Sequence, residues 1–89
     1  MKFETNFIIQ PIGENYFAVP IDTKNSGFSG VIRLNETGRD IMQGLLDGKS
    51  PDQISRELTE NYQNVDLNTA NKAVEDMIQK LRGAGILME

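Results

Sequence analysis

The side chains that most often carry out chemistry in proteins are largely missing from this sequence. Histidine and cysteine are both absent, which removes the commonest general base, the usual zinc ligands and the Cys nucleophile. The adjacent carboxylates Glu75 and Asp76 lack a third ligand at helical spacing, so they indicate a solvated helix face rather than a metal site. We therefore expect no catalysis, no metal and no cofactor.

The loop Gly27-Phe28-Ser29-Gly30 is the other candidate for chemistry, because glycine-containing loops can hold phosphates. It lacks the Lys of a phosphate-binding loop, its length, and a helix immediately after it. Phe28 at its tip is expected to fold back onto the sheet or to touch a partner. The remaining class of function is binding to another macromolecule.

The length of 89 residues is enough for one domain, which we place at residues 1–89. A hydrophobic fraction of 38% with 25% charged residues is ordinary for a globular chain that folds. No stretch approaches the roughly 20 apolar residues of a membrane span, and none near the N-terminus has the pattern of a signal peptide. The expected location is the cytoplasm, which the absence of cysteine also suits.

The charge distribution argues against nucleic acid as the partner. The net charge is -4, and residues 1–34 contain as many bases as acids, so the whole excess lies in residues 35–89. Proteins that bind DNA gain affinity by placing clustered Lys and Arg against phosphates. An acidic second half has the wrong sign for this role.

The first third of the chain has the pattern of short strands. Three apolar runs rich in aromatic and β-branched residues are separated by Gly, Asn, Ser and Pro, which is typical of hairpins. We predict strands at Phe7–Ile9, Tyr16–Val19 and Val31–Leu34. A turn at residues 13–15 joins the first two, and a loop at residues 25–30 precedes the third.

From Asn35 the apolar spacing changes to that of helices. Asn35, Ser50 and Asp66 are residues that cap helix N-termini, and each precedes a segment with helical periodicity. Pro51 suits the first position of the second helix, and Gly48 suits the left-handed position after the first. The predicted buried stripes are Ile41, Met42, Leu45 and Leu46; Ile54, Leu58 and Tyr62; and Leu67, Ala70, Val74, Met77, Ile78 and Leu81.

This order predicts an α+β fold of the winged helix-turn-helix type, with a three-stranded antiparallel sheet followed by three helices. Strands occupy about residues 5–34 and helices about residues 35–83. The tail Ile86-Leu87-Met88 is expected to return to the core. A sheet of three strands has two edges with unpaired backbone groups, and such an edge can take up an extended peptide. It can equally pair with a second copy, so we expect a monomer or a weak, strand-exchanged dimer.

Several segments together resemble the PqqD family. They are Val31–Ile41 (VIRLNETGRDI), Leu46-Asp47-Gly48, Ser50–Leu58 and Leu81–Leu87 (LRGAGIL). The entry into the first helix, Leu34-Asn35-Glu36-Thr37, and the Asp47-Gly48 exit carry most of the likeness. It covers about the last 60 residues, and Gly38 stands where the family usually has a small residue such as Ala.

The resemblance implies a non-catalytic peptide chaperone that binds the leader of a ribosomally made precursor peptide. Such a domain presents the leader to a modifying enzyme, which in pyrroloquinoline quinone (PQQ) biosynthesis is a radical S-adenosylmethionine (radical SAM) protein. It further implies that the leader adds as a strand beside the third strand and packs against the third helix. In this sequence those elements are Val31–Leu34 and Leu67–Arg82. Strand alternation, with Ile32 and Leu34 toward the core and Val31 and Arg33 away from it, and helical spacing then select the peptide-binding residues Val31, Ile32, Arg33, Leu34, Asn71, Val74, Glu75 and Ile78. It is equally compatible with the sequence that Val31 and Ile78 belong to the core and Asn71 and Glu75 to a solvated helix face.

Two other functions remain open from the sequence. A winged-helix DNA-binding regulator would share the helical arrangement, with the third helix in the major groove. A structural accessory subunit would use the same sheet edge to join a larger enzyme permanently. For Arg33, pairing with a carboxylate of the leader and pairing with Asp40 of this chain are equally compatible with the sequence.

Overall fold

The computed structural model describes residues 2–4, 6–21 and 30–88. Within these ranges the chain forms five strands: β1 (Lys2–Phe3), β2 (Phe7–Ile12), β3 (Asn15–Pro20), β4 (Ile32–Leu34) and β5 (Leu87–Met88). The three predicted strands are confirmed as β2, β3 and β4, with β2 and β3 longer than expected. The loop predicted at residues 25–30 lies outside the described residues except for Gly30.

The main sheet is an antiparallel meander in the order β2-β3-β4. β2 and β3 form a hairpin in which Phe7 pairs with Pro20 and Ile12 with Asn15, and the turn between them contains Gly13 at a φ of 62°. β4 pairs with only half of β3, from Tyr16 to Ala18. Pro20 lies beyond the part of β3 that pairs with β4. Because of this, its missing N–H removes no hydrogen bond between β3 and β4.

Alternation along the strands gives the sheet two different faces. Ala18 and Leu34 are buried on the face that packs against the helices, and Ile32 is half-buried there. The opposite face carries the exposed Ile8 and Val31 together with the half-buried Phe17 and Val19. The outer face of the sheet, as we call this second set together with Gln10 and Arg33 on either side of Phe17, is therefore partly apolar although it is not part of the core.

Three helices follow the sheet: α1 (Glu36–Leu46), α2 (Pro51–Asn61) and α3 (Leu67–Gly83). Each begins at the predicted capping residue, whose side chain accepts a hydrogen bond from the backbone N–H three residues later. Gly48 has a φ of 84°, as expected of the residue that ends α1 in the left-handed region. The α+β architecture predicted from the sequence is confirmed.

The core lies between the inner face of the sheet and the three helices, and it is filled by apolar, mainly aliphatic, side chains. α3 packs mainly against α1, α2 and β5, whereas α1 contacts all three strands of the main sheet. Among the residues that the structure describes, fourteen apolar residues are buried: Phe7, Ala18, Leu34, Ile41, Met42, Leu45, Ile54, Leu58, Ala70, Val74, Ile78, Leu81, Ile86 and Leu87.

Two details differ from the sequence-based expectation. Leu67, expected in the buried stripe of α3, is 50% exposed, because it is the first residue of the helix and lies beyond the end of the core. The C-terminal tail does return to the core, and it also pairs as β5 with β1 in a second, two-stranded sheet that was not predicted. No helix in the described part of the chain is long and apolar enough to cross a lipid bilayer.

Candidate functional site

The strand β4 forms one edge of the main sheet. It pairs with β3 on one side, and on its other side no strand is present among the residues that the structure describes. Along an unpaired edge the backbone N–H and C=O groups point outward at alternate residues, where they can bond an extended chain. The edge of β4 can therefore be extended by a further strand.

A cleft of about 510 Å³ lies beside this edge, between β4, the first turns of α1 and one flank of α3. Its floor is apolar and is formed by Leu34, Gly38, Ile41, Ala73 and Met77. Its rim is polar. The rim residues are Asn15, Arg33, Asn35, Thr37, Asp76 and Lys80. A strand added to β4 would direct every second side chain into this cleft.

Gly38 lets α1 approach its neighbours closely at the floor of the cleft. A Cβ at this position would lie 3.3 Å from Cε of Met77 and 3.5 Å from Cδ2 of Leu34, so α1 approaches both side chains closely. The Cβ would lie closer still, at 3.0 Å, to Oδ1 of Asn35, the oxygen that caps α1. The space above residue 38 is therefore taken up by side chains of this protein, and α1 packs tightly at this point.

The net charge of the rim is opposite in sign to the net charge of the whole chain. Arg33 and Lys80 are cations and Asp76 is an anion, and all three are exposed. Within the described residues none of the three takes part in an ion pair. The cleft therefore has a formal charge of +1 on a chain of net charge -4, which favours a guest with a negative charge.

A polar network behind the cleft fastens α1 to its neighbours. The carboxylate of Asp40 on α1 accepts hydrogen bonds from Nε of Arg39, at 2.9 Å, and from the hydroxyl of Tyr62, at 2.5 Å. The guanidinium carbon of Arg39 lies 4.5 Å from the ring centroid of Tyr16 on β3. Burial raises the pKa of Tyr62, and the hydrogen bond to Asp40 raises it further.

This network excludes one of the two pairings that the sequence left open for Arg33. Asp40 is occupied by Arg39 and Tyr62, so the proposed pairing of Arg33 with Asp40 does not occur. Arg33 instead extends at the rim of the cleft. Its guanidinium group is available to a guest chain.

The predicted peptide-binding residues on β4 lie as the alternation implied. Leu34 is 4% exposed and Ile32 is half-buried, whereas Val31 is 56% exposed and Arg33 is exposed. Arg33 and Leu34 line the cleft. Val31 and Ile32 do not, although they belong to the same edge.

The four predicted residues on α3 lie elsewhere. Val74 and Ile78 are buried in the core, and Asn71 and Glu75 are exposed outside the cleft. A helix advances about 100° per residue, so Asn71 and Glu75 occupy one flank of the buried stripe and the cleft-lining residues occupy the other. The α3 residues in the cleft are Ala73, Asp76, Met77 and Lys80.

The spacing of the residues on this second flank can be seen in the sequence. The sequence does not show that this flank, and not the other, faces the cleft. Residues 73, 76, 77 and 80 are separated by the intervals of three and four that share one helix face. Which of two such flanks faces the sheet depends on how α3 packs across α1 and α2. The cleft residues on α1, which are Thr37, Gly38 and Ile41, were likewise not among the predicted site residues.

The model of a protein family described as "Coenzyme PQQ synthesis protein D (PqqD)" matches residues 11–87 of this chain. The match includes the main sheet from Pro11 onward, all three helices and the whole lining of the cleft. A comparison with curated proteins finds no match.

Two solved structures are similar to the whole chain. One is described as "TbiB1 in Complex with the TbiA(beta) Leader Peptide", with a TM-score of 0.73 and 22% identity over 98% of this chain and 94% of that one. The other is "Lasso peptide synthetase B1 complexed with the leader peptide", with a TM-score of 0.75 and 23% identity over 99% and 96%. At these identities the likeness concerns the fold.

Proposed function

This chain belongs to the PqqD family, and from that membership and the geometry of β4 we propose that it is a non-catalytic adaptor that binds the leader segment of a ribosomally made precursor peptide. The observation that carries the proposal is the combination of an open strand edge with an apolar cleft directly beside it. An edge alone offers affinity without selectivity, since backbone groups are the same in every peptide. A cleft under the edge adds selectivity through alternate side chains.

The mode of binding follows from the sheet. The leader adds as a fourth strand beside β4 and continues the meander β2-β3-β4. Its inward side chains enter the cleft over Leu34 and Met77, and its outward side chains continue the outer face beside Val31 and Arg33. The two similar structures support this function, because both are described as complexes with a leader peptide.

We propose further, from the resemblance to the PqqD family, that the bound leader is presented to a modifying enzyme of the radical SAM type that makes PQQ or another modified peptide. Holding the precursor near the enzyme raises its effective concentration and fixes its orientation. The proposal places this step in the cytoplasm, where ribosomal precursors are made. The adaptor acts as a monomer with β4 free, because a strand-exchanged or edge-paired dimer would occupy the same backbone groups.

The outer face of the sheet is the surface that we assign to the enzyme. Ile8 on this face is 42% exposed, and it pairs across the hairpin with the half-buried Val19. Contiguous apolar patches of this kind mark protein interaction sites. The substitution Ile8→Thr should leave leader affinity unchanged and slow modification of the precursor by its enzyme, whereas the neighbouring polar substitution Gln10→Thr should change neither. Equal rates for both variants would reject this surface.

Strand addition is tested with backbone-methylated peptides. The probe is a synthetic peptide with the leader sequence of a short precursor reading frame found beside the gene for this chain by inspection of the genome, or otherwise of a peptide enriched on the chain from a random library, titrated by calorimetry. N-methylation of alternate leader residues removes the N–H donors of one strand edge only. We expect one of the two methylation patterns to abolish binding and the other, which serves as the matched control, to preserve it.

Two results would contradict the proposed function. If both methylated peptides bind as well as the parent, the leader is not held as a strand. If the unmethylated leader fails to bind while a mixed-sequence duplex DNA is retained at about 0.15 M salt, the winged-helix regulator is the better account.

A further inference from the structure

Resting on the proposed function, we infer that Met77 is an oxidation site that controls leader binding: oxidation of its thioether to the sulfoxide weakens binding, and enzymatic reduction restores it. The oxidation state of Met77 thereby determines when a leader is bound and does not alter which leader is bound. Two observations lead to this site, the different exposures of the methionines and the position of Met77 in the wall of the cleft.

The chain contains four methionines, and the three that lie in the described residues differ in exposure. Met42 on α1 is 0% exposed, and Met88 on β5 is 48% exposed. Met77 on α3 is half-buried and lines the cleft. A peroxide has to reach the sulfur atom in order to oxidise it. Met77 and Met88 are therefore open to oxidation, whereas Met42 is protected.

The reaction at Met77 is the transfer of one oxygen atom from hydrogen peroxide. The thioether sulfur attacks one peroxide oxygen, the O–O bond breaks and an S–O bond forms. The second oxygen leaves as water with both protons of the peroxide. The sulfur is oxidised by two electrons and the peroxide is reduced. Methionine sulfoxide reductases return the sulfoxide to the thioether with electrons from a thiol, so the change is reversible.

The added oxygen has room only on the side of Met77 that faces the cleft. On the side of α1, the methyl carbon Cε of Met77 lies 3.3 Å from the position of a Cβ on Gly38. Leu34 and Oδ1 of Asn35 fill the space next to it. Oδ1 of Asn35 is a hydrogen-bond acceptor, as a sulfoxide oxygen is, so the two repel each other. The sulfoxide oxygen therefore projects into the cleft.

An oxygen in the wall of the cleft opposes leader binding in two ways. A leader strand that covers Met77 buries the sulfoxide oxygen, and a buried acceptor without a donor costs free energy. The flexible apolar surface of the thioether, which packs against a guest in the cleft, is lost as well. We expect the sulfoxide to weaken leader binding by roughly tenfold or more, at least as much as Met77→Ala does.

Leader binding and oxidation of Met77 are also expected to oppose each other kinetically. The cleft is the side from which a peroxide reaches Met77, and the bound leader covers that side. Met88 lies on β5, outside the cleft. A bound leader should therefore slow the oxidation of Met77 and leave that of Met88 unchanged.

The first experiment measures this protection. The full chain is treated with hydrogen peroxide, with and without the unmethylated leader peptide of the strand-addition test, and each methionine is followed by mass spectrometry of proteolytic peptides. At a leader concentration of about ten times Kd, oxidation of Met77 should slow roughly tenfold, because only the free chain reacts. Met42 should stay reduced throughout, which shows that the chain remains folded while Met77 reacts.

The second experiment measures leader affinity by calorimetry after the peroxide has been removed. The oxidised parent chain should bind roughly tenfold more weakly, and treatment with methionine sulfoxide reductases for both sulfoxide epimers should restore its affinity. Met77→Leu keeps the apolar volume, so this variant should bind the leader and be insensitive to peroxide. Met88→Leu is the matched control, and its affinity should fall on oxidation as that of the parent does.

Four results would overturn the regulation and leave the proposed function intact. They are oxidation of Met77 no faster than that of Met42, equal oxidation of Met77 with and without bound leader, unchanged affinity of the oxidised parent, and loss of affinity in oxidised Met77→Leu. If the unoxidised parent chain binds no leader, the proposed function is itself wrong and the regulation falls with it.

Discussion

β2 and β4 are both edge strands of one sheet, yet only β4 has the features of a binding site. β2 is twice as long and more apolar, with six residues from Phe7 to Ile12. It contains Pro11, which has no N–H to offer, and the space next to Phe7 is taken by Phe3, whose ring centroid is 6.2 Å away. β4 has no proline and lies beside the cleft.

The residues that surround an edge strand determine whether another peptide can bind along it. Unpaired backbone groups occur at both edges, and alone they are a risk of unspecific association. The cleft beside β4 supplies the apolar contacts and the charges that make association selective.

The largest difference between the edges concerns stability. The substitution Leu34→Ala removes a buried side chain that belongs both to β4 and to the floor of the cleft. We expect it to lower the free energy of unfolding by about 2–4 kcal/mol. Ile12→Ala on β2, where the side chain is 59% exposed, should change it by no more than about 0.5 kcal/mol.

Urea denaturation followed by circular dichroism gives both values. Similar losses for Leu34→Ala and Ile12→Ala would mean that the two edges are equally integrated in the fold, contrary to the comparison.

The affinity of the protein for a leader peptide should depend on the apolar wall of the cleft beside β4. Met77→Ala removes apolar surface from this wall. We expect it to weaken binding of a leader peptide by about 1–2 kcal/mol, or roughly tenfold. Leu67→Ala on the same helix, where the side chain is exposed and outside the cleft, is the matched control.

Calorimetry on both variants decides the point. If the two substitutions weaken binding equally, the guest does not occupy the cleft and the difference between the edges disappears.

The network behind the cleft should hold α1 in place against the β3–β4 side of the sheet. Tyr62→Phe removes a hydrogen-bond donor from Asp40, which should lower the free energy of unfolding by about 1 kcal/mol. Tyr16→Phe keeps the ring beneath Arg39 and should cost less. Thermal unfolding compares the two variants, and a loss for Tyr62→Phe no larger than that for Tyr16→Phe would show that the hydrogen bond to Asp40 does not contribute.

The smallest effect concerns the start of α3, the helix that forms the far wall of the cleft. The N–H and hydroxyl of Thr69 hold the pKa of Asp66 below its ordinary value of 3.8. A lowered pKa in the folded state means that the ionised cap contributes stability above pH 3.8 and that this contribution is lost as the pH falls through the folded-state value.

Asp66→Asn keeps a capping oxygen without the charge. Wild type should therefore lose more stability than Asp66→Asn when the pH is lowered from 6 to about 2, measured by urea denaturation at each pH. Parallel pH profiles would show that the charge of Asp66 does not contribute.

The helices could be predicted closely from the sequence, because their signals are local. Asn35, Ser50 and Asp66 each form the expected cap, and Gly48 ends α1 in the expected conformation. The resemblance to the PqqD family is confirmed by the family match. The inward and outward residues of β4 also followed from simple alternation, because a strand with one buried face leaves little freedom.

The features that could not be predicted depend on contacts between distant parts of the chain. β1 and β5 have two residues each, which is too short for any periodicity, and they pair only because the chain ends meet. The flank of α3 that faces the cleft depends on how three helices pack together. Asn71 and Glu75 were therefore chosen on one flank, while Met77 and Lys80 line the cleft from the other.

Amide hydrogen exchange, followed by NMR with and without a bound leader peptide, tests the central claim most directly. The account predicts slower exchange of the outward-facing amides of residues 31–34 when the peptide is bound, and unchanged exchange along β2. Protection along β2, or protection confined to the flank of α3 that carries Asn71 and Glu75, would contradict it.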